Sequence, residues 1–316
     1  MLHRSWVLRI VGALLGAWLV GCGSDESQEA TPCNCPPAQD AAGCAGASGS
    51  AGAAGSGGSV ADASADSPPD AVTPDVAPPP DSSSPEASAP MLRLMTFNIK
   101  HGAESSLGAI ADVILAEKAD IVGLQEVDVD ADRSGNVDQP HRLGQLTGMG
   151  NLFRSALTLS DGGLYGLAVL SRFPIVVSDK LNLTSASEQR ILVVVDIDVN
   201  GTTVPFCITH LGLTAAERTT QVNEILAAIG GKPWAVLVGD MNATPNEASM
   251  KTLSGKLSDA WVTAGSGDGF TIPVATPTKR IDYVFLGSSW SAPVEAHVPA
   301  TQASDHLPVV VTIPAP

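Results

Sequence analysis

The sequence predicts an α/β (α+β) fold for residues 91–316, because short apolar segments alternate there with amphipathic ones. Two segments show the alternation best. The run W-A-V-L-V at 234–238 is bounded by Pro233 and Gly239, which is typical of a short strand buried on both faces. Residues 107–118 instead place apolar side chains at the spacing of one helix face.

Taken in order, the same patterns predict strands and helices along the whole segment. Strands are expected at 92–98, 120–126, 165–171, 191–199, 203–210, 233–240, 280–285 and 307–313. Helices are expected at 107–118, at 141–147 and after Thr214, where Glu217 completes a capping box. The pair Asn200-Gly201 predicts a hairpin turn, and the polar residues 128–139 predict a loop.

Residues 1–90 differ from the rest of the chain. A basic start precedes an apolar run at 10–20, which is too short to span a membrane comfortably and has the layout of a secretory signal. The run ends in L-V-G-C at 19–22, which resembles the lipobox of bacterial lipoproteins. The resemblance implies a signal peptide at 1–21, a lipid on Cys22 and a place in the cell envelope; Gly23 after the cysteine favours the outer membrane. An ordinary signal peptide with an incidental cysteine is the alternative.

Residues 22–90 are rich in Ala, Gly, Ser, Pro and Asp and contain no aromatic residue. Such a segment cannot bury enough surface to offset its chain entropy, so we expect a disordered tether. For Cys33, Cys35 and Cys44 a local disulfide or free thiols are favoured over a metal site, because no second pair of ligands follows. Cys207 lies in a later strand and is expected to be a small core residue.

The chain is acidic, with a formal net charge of −16 at pH 7. Proteins that grip long nucleic acid through its phosphates are normally basic, so this balance argues against that class. The 91–316 segment is long enough to bury a sizeable core. We expect a monomer without an obligate protein partner.

Polar residues suited to catalysis fall where the predicted strands end. They are Asn98, Glu126, His210, Asp240, Asn242, Asp305 and His306, with Asp282 near the start of another strand. The end of a strand is rigid and can hold an acidic side chain in place towards a ligand. These positions therefore indicate that the ends of several strands converge on one cleft. Taken alone, the segment G-D-M-N at 239–242 is explained equally well by a turn with Asx residues.

Six short motifs in 91–316 resemble, in the same order, those of the endonuclease/exonuclease/phosphatase superfamily, which includes DNase I, abasic-site endonucleases, neutral sphingomyelinases and inositol-polyphosphate 5-phosphatases. They are T-F-N-I at 96–99, L-Q-E-V at 124–127, T-H-L at 209–211, G-D-M-N at 239–242, I-D-Y-V at 281–284 and S-D-H-L-P at 304–308. The resemblance implies a DNase I-like four-layer sandwich, in which two packed mixed sheets are flanked by helices.

A divalent cation is expected at this site, because an acidic protein needs one to offset the charge of a phosphate ester. The hard oxygen atoms of Glu126, Asn98 and Asp305 suit Mg²⁺, or Mn²⁺ as a substitute, better than Zn²⁺. The resemblance implies that Glu126 is the main metal ligand, with Asn98 and Asp305 beside it.

The resemblance also implies the catalytic roles. Asp240 would orient and deprotonate the attacking water, with Asn242 steadying the phosphate. His306 would donate to a phosphoryl oxygen, held in orientation by Asp282, and His210 would stabilise the transition state or help to protonate the leaving group. The alternatives are a plain salt-bridge partner for Asp282 and a satisfied buried histidine for His210.

Four more residues are candidates for substrate binding. Arg190 and Arg133 could each reach a phosphate; for Arg133 a surface or helix-cap role is favoured. Tyr165 is expected either in the cleft or on an edge strand. His101 follows a catalytic strand and is a candidate rim residue, whereas His297 belongs to no motif and is expected on the surface.

Together these features predict an exported, lipid-anchored, Mg²⁺-dependent phosphoesterase that hydrolyses a phosphodiester by attack of water. The fold does not select the substrate, but the acidity and the membrane tether favour a phospholipid or a small phosphodiester. A secreted nuclease of the same fold is one alternative. A catalytically dead binding module is another, and it is disfavoured because Glu126, Asp240 and His306 are all present.

Overall fold

The structure, a computed structural model, describes residues 90–316. The predicted signal peptide at 1–21, the lipidation site Cys22 and the tether with its three cysteines lie outside the described residues. Between residues 90 and 316, no helix is both long and apolar enough to cross a bilayer.

The described segment contains twelve strands, five α-helices and two short 3-10 helices (Lys100–Gly102 and Asp132–Ser134). The strands are β1 (Met91–Asn98), β2 (Ile121–Val129), β3 (Gly150–Thr158), β4 (Leu164–Ser171), β5 (Ile175–Leu183), β6 (Arg190–Val199), β7 (Thr202–His210), β8 (Val236–Asp240), β9 (Ser258–Asp259), β10 (Asp282–Leu286), β11 (Glu295–His297) and β12 (Val309–Pro314). The helices are α1 (Leu107–Ala116), α2 (Gln139–Thr147), α3 (Ala215–Ile229), α4 (Ala248–Ser254) and α5 (Ala260–Ala264).

The strands form two six-stranded sheets, in the orders β11-β12-β1-β2-β4-β3 and β5-β6-β7-β8-β10-β9. Both sheets are mixed, because β1 runs parallel to β2 and β7 parallel to β8 while the other neighbours are antiparallel. Their facing sides bury one large aliphatic cluster that includes Val193, Ile208, Val238 and Val311. Helices α1 and α2 cover the outer face of the first sheet, and α3 and α4 cover that of the second. The four-layer sandwich is confirmed.

Two local signals in the sequence are confirmed. Asn200 and Gly201 both have positive φ angles (54° and 91°), as the tight hairpin turn between β6 and β7 requires. At the start of α3 the hydroxyl of Thr214 accepts the backbone N–H of Glu217 at 3.2 Å, and the Glu217 carboxylate accepts the backbone N–H of Thr214 at 3.3 Å. Cys207 is fully buried, as expected of a core residue.

The prediction that the second strand ends at Glu126 was wrong. β2 continues to Val129, and a bulge between Leu124 and Val127 shifts its register with β4. Glu126 lies in that bulge with a left-handed backbone conformation (φ 57°). Because a bulge re-aims the side chain of the extra residue, Glu126 reaches the site from within a strand and not from its end.

Several elements were not predicted, namely β3, β5, β9, β11, α4 and α5. β3 and β5 lie at the sheet edges, and most of their side chains are half-buried or exposed, so their sequences lack a clean alternation. His297 on β11, which was expected on the surface, has a half-exposed side chain whose Nε2 lies 2.8 Å from Glu117 Oε2.

Candidate active site

Strand register brings the catalytic candidates together. β8 ends at Asp240, which pairs with His210 at the end of the parallel strand β7 and with Asp282 at the start of the antiparallel strand β10. In the other sheet, β1 ends at Asn98. His306 precedes β12, the antiparallel neighbour of β1, so its loop lies at the same end of that sheet.

Asp240 is at the centre of the cluster. Its Oδ2 lies 3.4 Å from Nε2 of His210 and 3.7 Å from Nε2 of His306. Its Oδ1 accepts the backbone N–H of Asn242 at 2.8 Å, which closes the Asx turn that the sequence allowed. The same residue therefore serves the turn and the site: Oδ1 of Asp240 closes the turn, and Oδ2 faces the two histidines.

His306 is held by a buried carboxylate. Its Nδ1 lies 2.9 Å from Oδ2 of Asp282, which also accepts the hydroxyl of Thr271 at 2.5 Å. Burial opposes a charged imidazole, but the carboxylates of Asp282, Asp240 and Asp305 outweigh it and raise the pKa of His306 to about 10. His306 is therefore an imidazolium at neutral pH, which donates from Nδ1 to Asp282 and presents Nε2–H towards Asp240.

The pKa of the Asp240 carboxyl group lies near neutral pH. Burial and the charge of Asp282 raise the pKa of Asp240 to about 7, although His306 opposes the shift. A group whose pKa lies near the working pH can both accept and release a proton efficiently. Asp240 thus has the acid–base behaviour that a general base needs.

His210 is fixed as a neutral imidazole. Nη1 of Arg190 lies 3.1 Å from Nδ1 of His210, and because a guanidinium can only donate, Nδ1 accepts and the ring proton is on Nε2. Burial, followed by the charges of Arg190 and His306, lowers the pKa of His210 well below its usual value. The Nε2–H group therefore points towards Asp240 as a neutral donor.

Arg190 is held by contacts with other residues of the protein. It is buried, and Nη1 also forms an ion pair with Oε1 of Glu188 at 2.6 Å. Its guanidinium lines the cleft and is in contact with Nδ1 of His210.

Asn98 links the two sides of the site. Its Nδ2 donates to Oε1 of Glu126 at 3.0 Å and to Oδ2 of Asp240 at 3.1 Å, while its Oδ1 accepts the backbone N–H of Lys100. Among the described residues, no group donates a hydrogen bond to Oε2 of Glu126, which lies 4.0 Å from Nδ1 of His101. Glu126 therefore offers a carboxylate oxygen to a ligand from outside the chain.

The donors around Glu126 fit a hard divalent cation. Glu126 and Asp305 carry carboxylates, which are donors that Mg²⁺ prefers, whereas Asn98 turns its amide nitrogen towards Glu126 and its oxygen accepts the backbone N–H of Lys100. Asp305 forms an ion pair with Lys100, whose Nζ lies 3.1 Å from Oδ2.

A second group of potential ligand atoms, from Asp240, Asp282 and His306, lies within 4.8 Å of one another. Here the imidazole holds protons between two carboxylates, and a metal would have to displace them. Metal binding to this group would therefore compete with those protons, whereas Oε2 of Glu126 accepts no hydrogen bond from the described residues.

The site opens into a cleft of about 380 Å³. It is lined by Glu126, Arg133, Leu157, Leu159, Tyr165, Glu188, Arg190, His210, Leu213, Asp240, Asn242 and His306. Eight of the residues singled out in the sequence thus share one cleft. Asn98 and Asp282 are buried and bonded to lining residues, whereas His101 and Asp305 lie to the side of Glu126 and Lys100.

Arg133 and Tyr165 form one wall. Arg133 donates from Nε and Nη2 to both carboxylate oxygens of the buried Asp128, at 2.8 and 2.7 Å, and its guanidinium lies 5.2 Å from the centre of the Tyr165 ring. Arg133 therefore borders the cleft from the protein surface, where its side chain is 41% exposed and its charge is paired with Asp128. The edge-strand alternative for Tyr165 is wrong, because β4 lies between β2 and β3.

Sequence reasoning missed several residues of the site. They are Lys100, Glu188, Thr271, Leu157, Leu159 and Leu213. Glu188 had a usable signal, because it stands two positions before Arg190, and such neighbours share one face in extended chain. Thr271 had none, because its contact with Asp282 depends on the path of the loop before β10.

Comparison with known proteins now identifies the family. A model of the family described as Endonuclease/Exonuclease/phosphatase matches residues 95–306. The chain belongs to the endonuclease/exonuclease/phosphatase family. The match spans both sheets and every catalytic candidate from Asn98 to His306, so the chain is a hydrolase that acts on phosphoester bonds. No curated protein matches the chain.

Several solved structures share this fold. The endonuclease/exonuclease/phosphatase from Beutenbergia cavernae is 26% identical, with a TM-score of 0.59 over 71% of this chain and 72% of that one. The mannosyl-6-phosphatase of Bacteroides thetaiotaomicron is 20% identical, with a TM-score of 0.59 over 70% of this chain and 98% of that one. A truncated TDP2 from Caenorhabditis elegans is 21% identical, with a TM-score of 0.58 over 71% and 98%.

Proposed function

We propose that this protein is a divalent-metal-dependent phosphodiesterase, with Mg²⁺ favoured and Mn²⁺ as a substitute, which hydrolyses a phospholipid or a small phosphodiester by in-line attack of water. One observation carries the proposal. The buried carboxylate of Asp240 lies between Nε2 of His210 and Nε2 of His306, and the Asn98 amide connects it to Glu126.

Different side chains of the site accept and donate protons during hydrolysis. Asp240, with its pKa near 7, accepts a proton from the attacking water. His306 is already charged and donates Nε2–H to a phosphoryl oxygen, which offsets the negative charge that develops there. His210 is a neutral donor that can bond the leaving oxygen, while Asn242, fixed by its bond to the Leu211 carbonyl, borders the phosphate position.

A bound cation would be held by Glu126, with Asp305 and Asn98 beside it, and would supply positive charge against the phosphate oxygens. This charge matters because the cleft itself holds three carboxylates, from Glu126, Glu188 and Asp240. A phosphodiester anion would otherwise be repelled from such a surface.

Two features of the cleft favour a small or lipid substrate over a long nucleic acid. Both arginines that line it are engaged by carboxylates, Arg133 by Asp128 and Arg190 by Glu188, so the lining offers no unpaired guanidinium for successive phosphates. Leu157, Leu159 and Leu213 line it too, and Leu213 is 71% exposed, which provides apolar surface beside the reacting centre.

The function is tested with parallel hydrolysis assays in Mg²⁺ and in EDTA. The substrates are bis-p-nitrophenyl phosphate, sphingomyelin, supercoiled DNA and a phosphomonoester. We expect EDTA-sensitive cleavage, fastest on sphingomyelin or on the small diester. Preferred cleavage of DNA would replace the substrate assignment with a nuclease, and a folded protein that neither binds Mg²⁺ nor cleaves any substrate would support a binding module.

We further propose that the protein is exported and anchored in the outer membrane through a lipid on Cys22. The lipobox-like segment at 19–22 and the polar composition of residues 22–90 support this. Metabolic labelling with a radioactive fatty acid tests it. We expect label in the membrane fraction for the wild-type chain and none for Cys22→Ser; equal labelling of both chains would exclude Cys22 as the lipid site.

A further inference from the structure

A strained turn follows β1, directly beside the proposed metal site. Lys100, His101 and Gly102 all have left-handed backbone conformations, with φ angles of 45°, 43° and 74°. For the two non-glycine residues this costs of the order of 1 kcal/mol each. The turn is secured from the other side, because Nε2 of Gln139 donates to the carbonyl oxygen of His101 at 2.6 Å. Gln139 is itself held by the backbone N–H of Asp128 at 2.9 Å.

The imidazole of His101 is directed inwards with an unused nitrogen. Its Nδ1 is buried and has no hydrogen-bond partner among the described residues. A buried polar atom without a hydrogen-bond partner costs about 1–3 kcal/mol. Here the strained turn places such an atom, Nδ1 of His101, in the interior. A ligand from outside the chain would satisfy it. Oε2 of Glu126 lies 4.0 Å away and accepts no hydrogen bond from the described residues either.

These two unused atoms are spaced like two ligands of one cation. Metal–oxygen and metal–nitrogen bonds are each about 2.1 Å long, so two ligands of the same ion lie up to roughly 4.2 Å apart. The 4.0 Å separation falls within this limit. Glu126 is also held in a left-handed conformation, so both side chains are aimed at the same space by unusual backbone geometry.

We propose that His101 supplies a nitrogen ligand, through Nδ1, to the divalent cation held by Glu126. The inference rests on the proposed function, since it requires that a cation binds at Glu126. It has a consequence for metal preference. An imidazole donor favours Mn²⁺ and later transition metals over Mg²⁺, which binds oxygen atoms almost exclusively.

Pulsed electron paramagnetic resonance of the Mn²⁺-loaded full-length protein tests the ligand directly, with no dependence on turnover. A coordinated imidazole couples its ¹⁴N nucleus to the manganese, so the wild-type protein should show ¹⁴N modulation. His101→Asn should lose it; asparagine tolerates the left-handed conformation but has no imidazole. The matched control is His297→Asn on β11, which should keep the signal.

Metal affinity, measured by calorimetry on the same proteins, gives a second readout. His101→Asn should weaken Mn²⁺ binding by at least about tenfold and Mg²⁺ binding by less, so that the affinity for Mn²⁺ relative to Mg²⁺ falls. His306→Gln leaves the turn intact and should keep the ¹⁴N signal, which would show that the coupled imidazole is not that of His306. The wild-type spectrum needs no substitution and still tests the proposal if variants at His101 fail to fold.

The outcomes separate this inference from the proposed function. A wild-type protein that binds Mn²⁺ without ¹⁴N modulation would overturn the role of His101 alone. The same holds if the modulation survives in His101→Asn or is lost in His306→Gln. A folded wild-type protein that binds neither Mn²⁺ nor Mg²⁺ would overturn the metal dependence as well.

Discussion

The charge of His306 has a consequence for stability that can be measured without any substrate. The pKa of His306 is raised to about 10 in the folded protein, against an ordinary value of 6.5. The folded state therefore holds a proton that the unfolded chain releases at neutral pH. The resulting stability is fully present below pH 6.5 and is lost as the pH rises through 10.

The size of the effect follows from these two values. The raised pKa contributes roughly 4 kcal/mol at pH 7 and roughly 1.4 kcal/mol at pH 9, so the free energy of unfolding should fall by about 2.5 kcal/mol between them. Asp240, with its pKa raised to about 7, adds a smaller loss in the same direction. Burial raises the pKa of Cys207 to about 12 from 9.0; because the unfolded thiol is already half ionised at pH 9, Cys207 adds a further loss of about 0.4 kcal/mol at the upper end of the window.

Urea unfolding in EDTA, followed by circular dichroism from pH 7 to pH 9, measures this fall. His306→Gln should remove most of the pH dependence, whereas His297→Gln, a control at a half-exposed histidine outside the site, should retain it. A wild-type free energy of unfolding that stays level across the window would refute the imidazolium assignment. So would an equal fall in wild type and His306→Gln.

Two further substitutions test the geometry of the site. Arg190→Gln should free Nδ1 of His210 and let its pKa rise towards the ordinary value, because the guanidinium both donates to the ring and repels its proton; turnover should fall by about tenfold or more. Nitrogen NMR of His210 reads the tautomer, with Arg133→Gln as a control, and an unchanged Nε2–H tautomer in Arg190→Gln would contradict the assignment. Gly239→Ala should destabilise the fold by more than about 3 kcal/mol, because a Cβ there would overlap the carbonyl oxygen of Thr209. Gly201→Ala, where a Cβ meets open space at φ 91°, should cost only about 1 kcal/mol in thermal unfolding; equal losses at the two positions would show that the overlap is relieved.

The sequence was most informative where a site residue follows a buried strand. The apolar run before Asp240 and the glycine at 239 mark both the strand and its end, so the position of the carboxylate could be predicted. The same holds for His210 at the end of β7. Glu126 was harder, because a bulge adds a residue within β2, and neither period-two alternation nor composition marks where that happens.

Contacts between distant loops could not be predicted from the sequence. The bond from Thr271 to Asp282 and the placement of Lys100 between Glu104 and Asp305 depend on how separate loops pack at the strand ends. The edge strands β3 and β5 carry too little buried surface to leave a pattern. Missing β3 also left open whether Tyr165 lies on an edge, since β4 is an inner strand only because β3 covers it.

The most direct test of the central claim is hydrolysis of bis-p-nitrophenyl phosphate in Mg²⁺ by Asp240→Asn, compared with the wild-type protein. The variant should fold at least as stably as wild type, because the raised pKa of Asp240 shows that the folded state disfavours its charge. Its turnover should fall by at least about a hundredfold, since an amide cannot accept the proton of water. A well-folded Asp240→Asn that cleaves at the wild-type rate would contradict the mechanism.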